Sequence, residues 1–300
     1  MSAPDWHRDG ADWPNRSASA FVEAGGLAWH VQLMGAGPPI LLLHGTGAAT
    51  HSWRDLAPLL AQDFMVVAPD LPGHGFSAPL PGLATLPAMA AAVGALLARL
   101  AVAPLLVVGH SAGAAIGARL FLDQPERTAR GAGLVSINGA LLPFPGLARD
   151  LFPGLARLLF LNPLTPRLFA LQAGLMADPG RFIARATGST IDRRGAALYG
   201  RLFTRPRHVA GALEMMASWD LETLRRDLPR LAAPLTLIAG SADLAIPPAT
   251  AREVARLVPG SEVKILSGLG HLAHEEAPET VAEMVRQAAA RAAGAKGEGP

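Results

Sequence analysis

Short apolar runs alternate with segments of helical period along most of this chain. Eight runs predict strands, at residues 21–24, 27–33, 40–43, 64–68, 105–108, 133–137, 235–239 and 262–266. Five segments predict helices, at residues 52–61, 86–100, 111–122, 249–257 and 278–293, with Ser52 as an N-cap and Pro125 as the stop behind the third. This alternation favours an α/β fold with an eight-stranded, mostly parallel sheet and helices on both faces.

Residues 139–219 break the alternation. The segment is rich in proline near its start and carries many leucine, phenylalanine and arginine residues. It is too long for a connecting loop and too apolar for a disordered segment, so we predict a helical cap inserted over the carboxyl ends of the strands. Residues 21–138 and 220–293 then form the core, residues 1–20 an N-terminal extension and residues 294–300 a disordered tail.

The pentapeptide at residues 109–113, Gly-His-Ser-Ala-Gly, lies between a predicted buried strand and a predicted helix. A G-x-S-x-G spacing in that context predicts a nucleophile elbow, a sharp turn that presents one serine hydroxyl above the sheet. The serine at such a turn has a strained backbone, and side chains two residues away would collide with it, which explains the flanking glycines. We therefore predict Ser111 as a nucleophile.

A serine nucleophile needs a general base, and the base needs an acid that orients it. In this class of fold the acid follows the serine along the chain, and the histidine follows the acid. Asp243 lies just after the predicted strand 235–239, and His271 lies in a glycine-rich loop after the last predicted strand. We predict Asp243 as the acid and His271 as the base. His274 is the nearby alternative for the base, and the rival position for the acid holds Asn138 rather than a carboxylate.

Two backbone N–H groups should stabilise the oxyanion that forms during attack on a carbonyl. We predict the N–H of Ala112, directly after the nucleophile, and that of Thr46, in the glycine-containing loop 44–47. His44 would support this loop, contact substrate or be a satisfied buried histidine without a role in the chemistry. His110 would either line the pocket or merely pack.

Composition excludes several other classes of chemistry. The 300 residues include no cysteine, which rules out disulfides, thiol catalysis and thiolate metal sites. His271 and His274 lack the H-E-x-x-H arrangement, so we expect no metal. The loop 45–47 does not continue into a phosphate-binding or dinucleotide motif, and no basic tract is interleaved with aromatic residues. We expect no cofactor and no nucleic-acid partner.

The sequence also bears on location. No uninterrupted run of about 18 apolar residues predicts a membrane span, and residues 1–16 lack the apolar core of a signal peptide. We therefore expect a cytoplasmic protein.

With these residues assigned, most of the chain resembles the α/β-hydrolase superfamily. The resemblance rests on LLLHG at 41–45, DLPGHG at 70–75, the Ser111 elbow, Asp243 and GLGH at 268–271. Five further stretches resemble one subfamily, the α/β-hydrolase-type accessory protein associated with magnesium chelatase in bacteriochlorophyll biosynthesis: DWPNR at 12–16, HGTGAATHSWR at 44–54, NGALLPFPG at 138–146, HVAGALEMM at 208–216 and GHLAHEE at 270–276. This resemblance implies a phototrophic bacterium and a role near magnesium insertion into protoporphyrin, with magnesium-chelatase subunits as partners.

The cap suits a flat, apolar ligand that carries carboxylates. Between residues 140 and 218, ten arginines stand against four carboxylates, whereas the whole chain has a net charge of only +2. Arg149, Arg157 and Arg167 are candidate partners for ligand carboxylates, because guanidinium groups pair with carboxylates bidentately. An anionic membrane would attract the same surface, so peripheral contact with the inner face of the membrane is an alternative.

These residues together predict a serine hydrolase that acts on an apolar ester or a related carbonyl compound. The resemblance implies that this substrate has tetrapyrrole character. The resemblance leaves a second hypothesis open, a non-hydrolytic protein that binds a tetrapyrrole or chelatase subunits on a hydrolase scaffold. A different reaction on the same three residues, such as peroxidation or lyase chemistry, is a third hypothesis.

Overall fold

The computed structural model describes residues 2–143, 162, 164–175 and 177–294. In this part of the chain, eight strands form one sheet in the order β1-β2-β4-β3-β5-β6-β7-β8. Strand β2 is antiparallel to its neighbours β1 and β4, and the other pairs are parallel. The strands are β1 Ser19–Ala24, β2 Leu27–Met34, β3 Pro39–Leu43, β4 Met65–Pro69, β5 Leu106–His110, β6 Gly133–Ile137, β7 Leu235–Gly240 and β8 Glu262–Leu266. The predicted α/β fold, with its mostly parallel sheet, is confirmed.

The helices of the described residues lie on both faces of the sheet, and five of them follow β6 and precede β7 along the chain. They are α1 Trp6–Asp9, α2 Leu56–Leu60, α3 Leu86–Leu100, α4 Ala112–Asp123, α5 Thr165–Gly174, α6 Pro179–Thr187, α7 Arg193–Phe203, α8 Pro206–Ser218, α9 Leu221–Asp227, α10 Ala249–Leu257, α11 Ala273–Glu276 and α12 Pro278–Gly294. None of them is long and apolar enough to cross a bilayer. Residues 295–300, the rest of the predicted tail, lie outside the described residues.

The central strands are apolar on both faces because helices cover both sides of the sheet. Successive side chains of a strand point to opposite faces. In β3, Leu41 and Leu43 therefore pack in the cluster that includes α3 and α4, whereas Ile40 and Leu42 pack in the cluster that includes α2 and α12. This burial on two sides holds the carboxyl ends of β3, β5, β6, β7 and β8 at one edge of a rigid sheet.

The predicted helix 52–61 with Ser52 as its cap is wrong in detail. A 3-10 turn spans Thr50–Trp53, and α2 begins only at Leu56. The turn starts early because the Thr50 N–H donates to the Asp70 carboxylate at 2.7 Å. Ser52 is buried, and its hydroxyl has no partner among the described residues.

Helices α5–α8, which we call the cap helices, are inserted between β6 and β7. The N-terminal segment, residues 2–18, is fastened to them. Arg201 donates to both carboxylate oxygens of Asp12 at 2.6 and 2.9 Å, and Arg205 donates to Asp9 at 2.6 Å. On the core side, the buried Trp13 indole donates to Thr50 Oγ1 at 3.0 Å. The N-terminal segment thus bridges the cap helices and the core.

A buried ionic cluster joins the core to α7. Arg54 is paired with Glu275, whose side chain is fully buried, and donates to Asp192 at 3.0 Å. Tyr199 donates its hydroxyl to Glu275 at 2.6 Å. Burial raises the pKa of Glu275 to about 7, although Arg54 and Tyr199 act to lower it. Arg54 is therefore the cation on which this buried carboxyl group depends.

Replacing Arg54 with methionine should lower the free energy of unfolding by about 3–5 kcal/mol, because removing one partner leaves the other buried without compensation. Urea unfolding at pH 7.5, followed by circular dichroism, measures the change. Arg230→Met is the control, since Arg230 is 69% exposed and its pair with Asp227 should contribute little. Equal losses in the two variants would contradict the expectation.

Candidate active site

Ser111 lies at a sharp turn between β5 and α4. Its backbone has φ +50° and ψ −116°, a conformation that a residue with a Cβ rarely adopts. The turn is fixed on both sides: the Ser111 N–H donates to the Ile137 carbonyl at 3.0 Å, and the Ser111 carbonyl accepts from Ala114 and Ala140 at 3.1 and 3.0 Å. The serine is partly exposed, and its hydroxyl has no hydrogen-bond partner among the described residues.

Close packing explains why glycines surround Ser111. A Cβ on Gly113 would lie 2.0 Å from the Leu43 carbonyl oxygen, and one on Gly109 would lie 2.4 Å from Ala114. A Cβ on Gly45 would lie 3.0 Å from the Ser111 Cβ. The elbow, the start of α4 and the loop after β3 are therefore in direct contact, and the sequence motif follows from that contact.

The structure brings Asp243 and His271 together. Asp243 Oδ2 lies 2.8 Å from His271 Nδ1, and both residues are buried. The other carboxylate oxygen, Oδ1, accepts from the N–H groups of Ala245 and Ile246, each at 2.8 Å. A carboxylate fixed in this way keeps the proton on Nδ1, which leaves Nε2 of His271 as the acceptor.

Asn138, at the rival position for the acid, supports Asp243. Its Nδ2 donates to Asp243 Oδ2 at 2.6 Å and lies 3.4 Å from the Gly270 carbonyl oxygen. Its φ of +48° turns the chain at the end of β6 so that the side chain reaches across to the loop of β7. An amide at this position can donate to the carboxylate, whereas a second carboxylate would repel it.

One of the two predicted oxyanion donors lies in the elbow, and the other lies in the loop after β3 that packs against it. Ala112 is the first residue of α4, so its N–H has no partner within the helix. Thr46 lies in the loop after β3, and its N–H has no partner among the described residues. The Thr46 hydroxyl donates to Met215 Sδ of α8 at 3.0 Å, so a cap helix steadies this loop.

His44 has no exposed surface. Its Nε2 accepts from the Leu71 N–H at 2.8 Å, and its Nδ1 donates to the Gly45 carbonyl at 2.8 Å. Burial lowers its pKa and favours this neutral, bridging form. The geometry favours support of the loop over direct contact with substrate.

His110 packs against the loop that carries His271. It is 2% exposed, and its Nε2 lies 2.9 Å from the His271 carbonyl oxygen, which favours packing over lining of the pocket. His274, the alternative base, is also fully buried and stacks on Trp53 and His110 with ring centroids 4.6 and 4.4 Å apart. Neither ring nitrogen of His274 has a hydrogen-bond partner among the described residues, although Nε2 lies 3.9 Å from Glu275 Oε1. His271, by contrast, meets Asp243.

The candidate carboxylate partners are not brought to this site by the described structure. Arg149 and Arg157 lie outside the described residues. Arg167 is described and is exposed on α5. Within the described ranges, no group of three or more histidine, aspartate or glutamate residues could hold a metal ion.

Two residues that support the site, Asp70 and His208, were not predicted from the sequence, although they lie in the motifs at 70–75 and 208–216. Asp70 accepts from the N–H groups of Thr50 and Phe76 and pairs with His30 Nδ1 at 2.8 Å. Burial acts to raise the Asp70 pKa, but His30, His44 and the Phe76 N–H hold it well below its usual range. His208 of α8 accepts from the Gly75 N–H at 3.1 Å and donates to the Gly47 carbonyl at 3.1 Å. Both residues fix loops around the elbow.

Comparison with known proteins identifies the family. A family model described as the alpha/beta hydrolase fold matches residues 38–278. The chain belongs to the α/β-hydrolase fold family. This α/β hydrolase is 41% identical over 278 residues to the magnesium-chelatase 30 kDa subunit of Rhodobacter capsulatus, an alignment that covers 92% of this chain and 95% of that protein. The resemblance predicted from the sequence is thereby confirmed.

Other relatives of this α/β hydrolase are named as hydrolases. It is 28% identical over 235 residues to the putative carbamate hydrolase RutD of Stutzerimonas stutzeri, covering 78% of this chain and 84% of that one. A thermophilic esterase from Thermogutta terrifontis superposes with a TM-score of 0.72 at 23% identity, covering 91% of this chain and 98% of the esterase. The latter likeness shows a shared fold.

The buried histidines predict a strong pH dependence of stability. Burial is the largest cause that lowers the pKa of six histidines: His44, His51, His74, His110, His208 and His274. In His208 it lowers the pKa to about 4. A histidine with a lowered pKa in the folded state stabilises the fold above about pH 6.5 and loses that contribution as the pH falls. His208 alone should cost about 1.4 kcal/mol by pH 5.5, and the other five act in the same direction. Glu275, with its raised pKa, acts in the opposite direction but is one group.

We therefore expect the urea midpoint of unfolding to fall steeply between pH 7.5 and pH 5.5. His7→Gln is the matched control, because His7 is exposed and the variant should follow the wild-type curve. A midpoint that stays constant over this range would contradict the neutral, buried state of these histidines.

Proposed function

We propose that this α/β hydrolase is a serine hydrolase with Ser111 as nucleophile, His271 as general base and Asp243 as the acid that orients the base. The observation that carries the proposal is the buried Asp243–His271 pair at 2.8 Å, together with a serine held at φ +50° whose neighbour His110 lies 2.9 Å from the His271 carbonyl oxygen. A strained backbone conformation persists only where the surrounding structure imposes it, and such residues cluster at active sites. The hydrolase relatives support the same assignment.

The reaction follows from these positions. Ser111 Oγ attacks the carbonyl carbon of an ester while His271 Nε2 takes the hydroxyl proton. The N–H groups of Thr46 and Ala112 donate to the oxyanion. Collapse expels the alcohol, which takes the proton from His271 and leaves an acyl-serine. A water molecule then gives a proton to His271 as its oxygen attacks the acyl carbon, and collapse releases the acid and returns the proton to Ser111.

An apolar substrate is supported by the surface of the cap helices. Leu168 and Leu171 of α5 are 61% and 65% exposed, and Phe182 of α6 is 49% exposed. Arginines are exposed on the same helices, at Arg167, Arg181 and Arg185. Apolar side chains beside guanidinium groups suit an apolar ester that carries a carboxylate, such as an esterified tetrapyrrole, and the same surface could contact an anionic membrane.

The magnesium-chelatase name of a relative supports a second candidate function. A protein 41% identical along nearly its whole length is named as a chelatase subunit, and that name describes an assembly rather than a hydrolytic reaction. Under this alternative, the protein binds a tetrapyrrole or the other chelatase subunits and hydrolyses nothing. Neither function requires a cofactor that this chain must hold.

Labelling with a fluorophosphonate probe tests the proposed nucleophile. Intact mass should show one adduct on the wild type and none on Ser111→Ala, because only an activated serine reacts with the probe. Hydrolysis of p-nitrophenyl butyrate should fall by at least about 1,000-fold in the same variant. Ser261→Ala is the matched control, since Ser261 lies on the turn before β8 and its hydroxyl, within the part of the chain that the structure describes, binds only the Val258 carbonyl. An unlabelled wild type, where a control hydrolase reacts, would overturn the proposal.

Pigment synthesis separates the two candidate functions. In a bacteriochlorophyll-producing host from which this protein has been deleted, Ser111→Ala should leave bacteriochlorophyll at the level of the deletion, whereas Ser261→Ala should restore it. Absorption of extracted pigment measures the outcome. Full restoration by Ser111→Ala would show that the role in this pathway is not hydrolytic, and would favour binding of tetrapyrrole or chelatase subunits.

A further inference from the structure

The turn that joins cap helices α6 and α7 lies against the loops that carry Asp243 and His271. We call residues 187–190, Thr-Gly-Ser-Thr, the cap turn, and residues 268–272 the base loop. The Thr187 carbonyl accepts from the N–H of His271 at 2.9 Å and from that of Leu244 at 3.3 Å. A single carbonyl of the cap thus binds the proposed base itself and the residue after the proposed acid.

Two further side chains complete this contact. Ser189 Oγ accepts from the Leu272 N–H at 2.7 Å and donates to Glu276 Oε2 at 2.8 Å. The same Glu276 oxygen accepts from the Gly270 N–H at 2.8 Å, and its other oxygen accepts from the Thr190 N–H at 2.9 Å. Three consecutive N–H groups of the base loop, at residues 270, 271 and 272, are therefore bound by the cap turn or by the carboxylate that the cap turn holds.

These segments pack so closely that two positions between them have no space for a side chain. A Cβ on Gly188 would lie 2.1 Å from the Ala242 carbonyl oxygen, and Gly188 has φ +72°. A Cβ on Gly270 would lie 2.4 Å from Ser189 Oγ. Ser189 is 1% exposed, so water does not compete for its hydrogen bonds. The cap turn is thus packed tightly against the backbone of both loops.

His110 Nε2 lies 2.9 Å from the His271 carbonyl oxygen, but in the described structure the N–H groups of residues 270–272 are bound only by the cap turn and Glu276. Asp243 binds its imidazole at Nδ1, which fixes the direction of the ring but not the distance of the loop from Ser111. The backbone position of residues 270–272 sets that distance. A proton transfer between Ser111 and His271 needs heavy atoms about 3 Å apart, so a small shift of the loop would change its rate.

We propose that Ser189 and Glu276 are positioning residues, which fix the base loop through the cap turn so that His271 can reach Ser111. This inference rests on the proposed function and extends it: the cap helices form part of the catalytic arrangement through the cap turn. Ser189 and Glu276 act through His271 and do not touch the substrate.

The test compares Ser189→Ala with Ser261→Ala, the same substitution on a turn remote from the cap. Ser189→Ala removes the acceptor for Leu272 and one donor to Glu276. We expect kcat for p-nitrophenyl butyrate to fall about 10- to 100-fold, with KM changed less than about threefold. Rates are divided by the fraction of protein that the fluorophosphonate probe titrates. A purely structural role would lower that fraction and leave the rate per titrated site unchanged.

Hydrogen exchange gives a second readout that needs no activity. In Ser189→Ala, amide protection of residues 270–272 should fall at least about tenfold, while protection of β5 and β6 stays as in the wild type. Glu276→Gln, which keeps one acceptor oxygen but loses the charge, should show smaller changes of the same kind and serves if Ser189→Ala does not fold.

Each combination of results decides a different point. Faster exchange with a lower rate per titrated site supports the inference. Faster exchange with an unchanged rate overturns the positioning role, and unchanged exchange overturns the contact itself. An unlabelled wild type overturns the proposed function and the catalytic part of this inference together, while the exchange data still decide whether the cap turn holds the base loop.

Discussion

The buried contact between Asp243 and His271 is the interaction on which the arrangement of this site depends. The two residues lie 28 positions apart, on loops that follow different strands. Burying an unpaired carboxylate is costly, so Asp243 needs every donor that surrounds it. Asn138, two backbone N–H groups and His271 supply those donors, and each comes from a segment fixed by the edge of the sheet.

The parallel sheet makes this convergence possible. Strands β3, β5, β6, β7 and β8 all end at one edge, so the loop of the oxyanion donors, the elbow, Asn138, Asp243 and His271 arise side by side. Burial of the strands on both faces keeps that edge rigid. The loops themselves are polar and irregular, and they are held by contacts with the cap helices, such as those of His208 with Gly47 and of Thr187 with His271.

The sequence predicted correctly those features that depend on residues close together along the chain. The bounds of α3 coincide with the predicted ones because Thr85 caps the start, where its hydroxyl accepts from Ala88 at 3.3 Å, and Ala101 turns left-handed at the end. Ser52 failed as a predicted cap because its segment is set by Asp70, which is remote in sequence. Ser189 and Glu276 could not be found from spacing, since 87 positions separate them and no motif links them.

The same distinction between local and remote contacts changes how the charge of the cap is understood. Ten arginines in residues 140–218 suggest a surface for anionic ligands. Of those that the structure describes, three already bind other groups of this protein: Arg201 and Arg205 hold Asp12 and Asp9, and Arg207 donates to the Ser77 carbonyl. A carboxylate-bearing ligand would therefore meet fewer free guanidinium groups than the sequence count implies. Among the described residues, the exposed arginines of α5 and α6 lie on the same helices as exposed leucine and phenylalanine side chains. An amphiphilic ligand would find both apolar and cationic contacts on these two helices, so their surface is a better guide to its binding than the net charge of the cap.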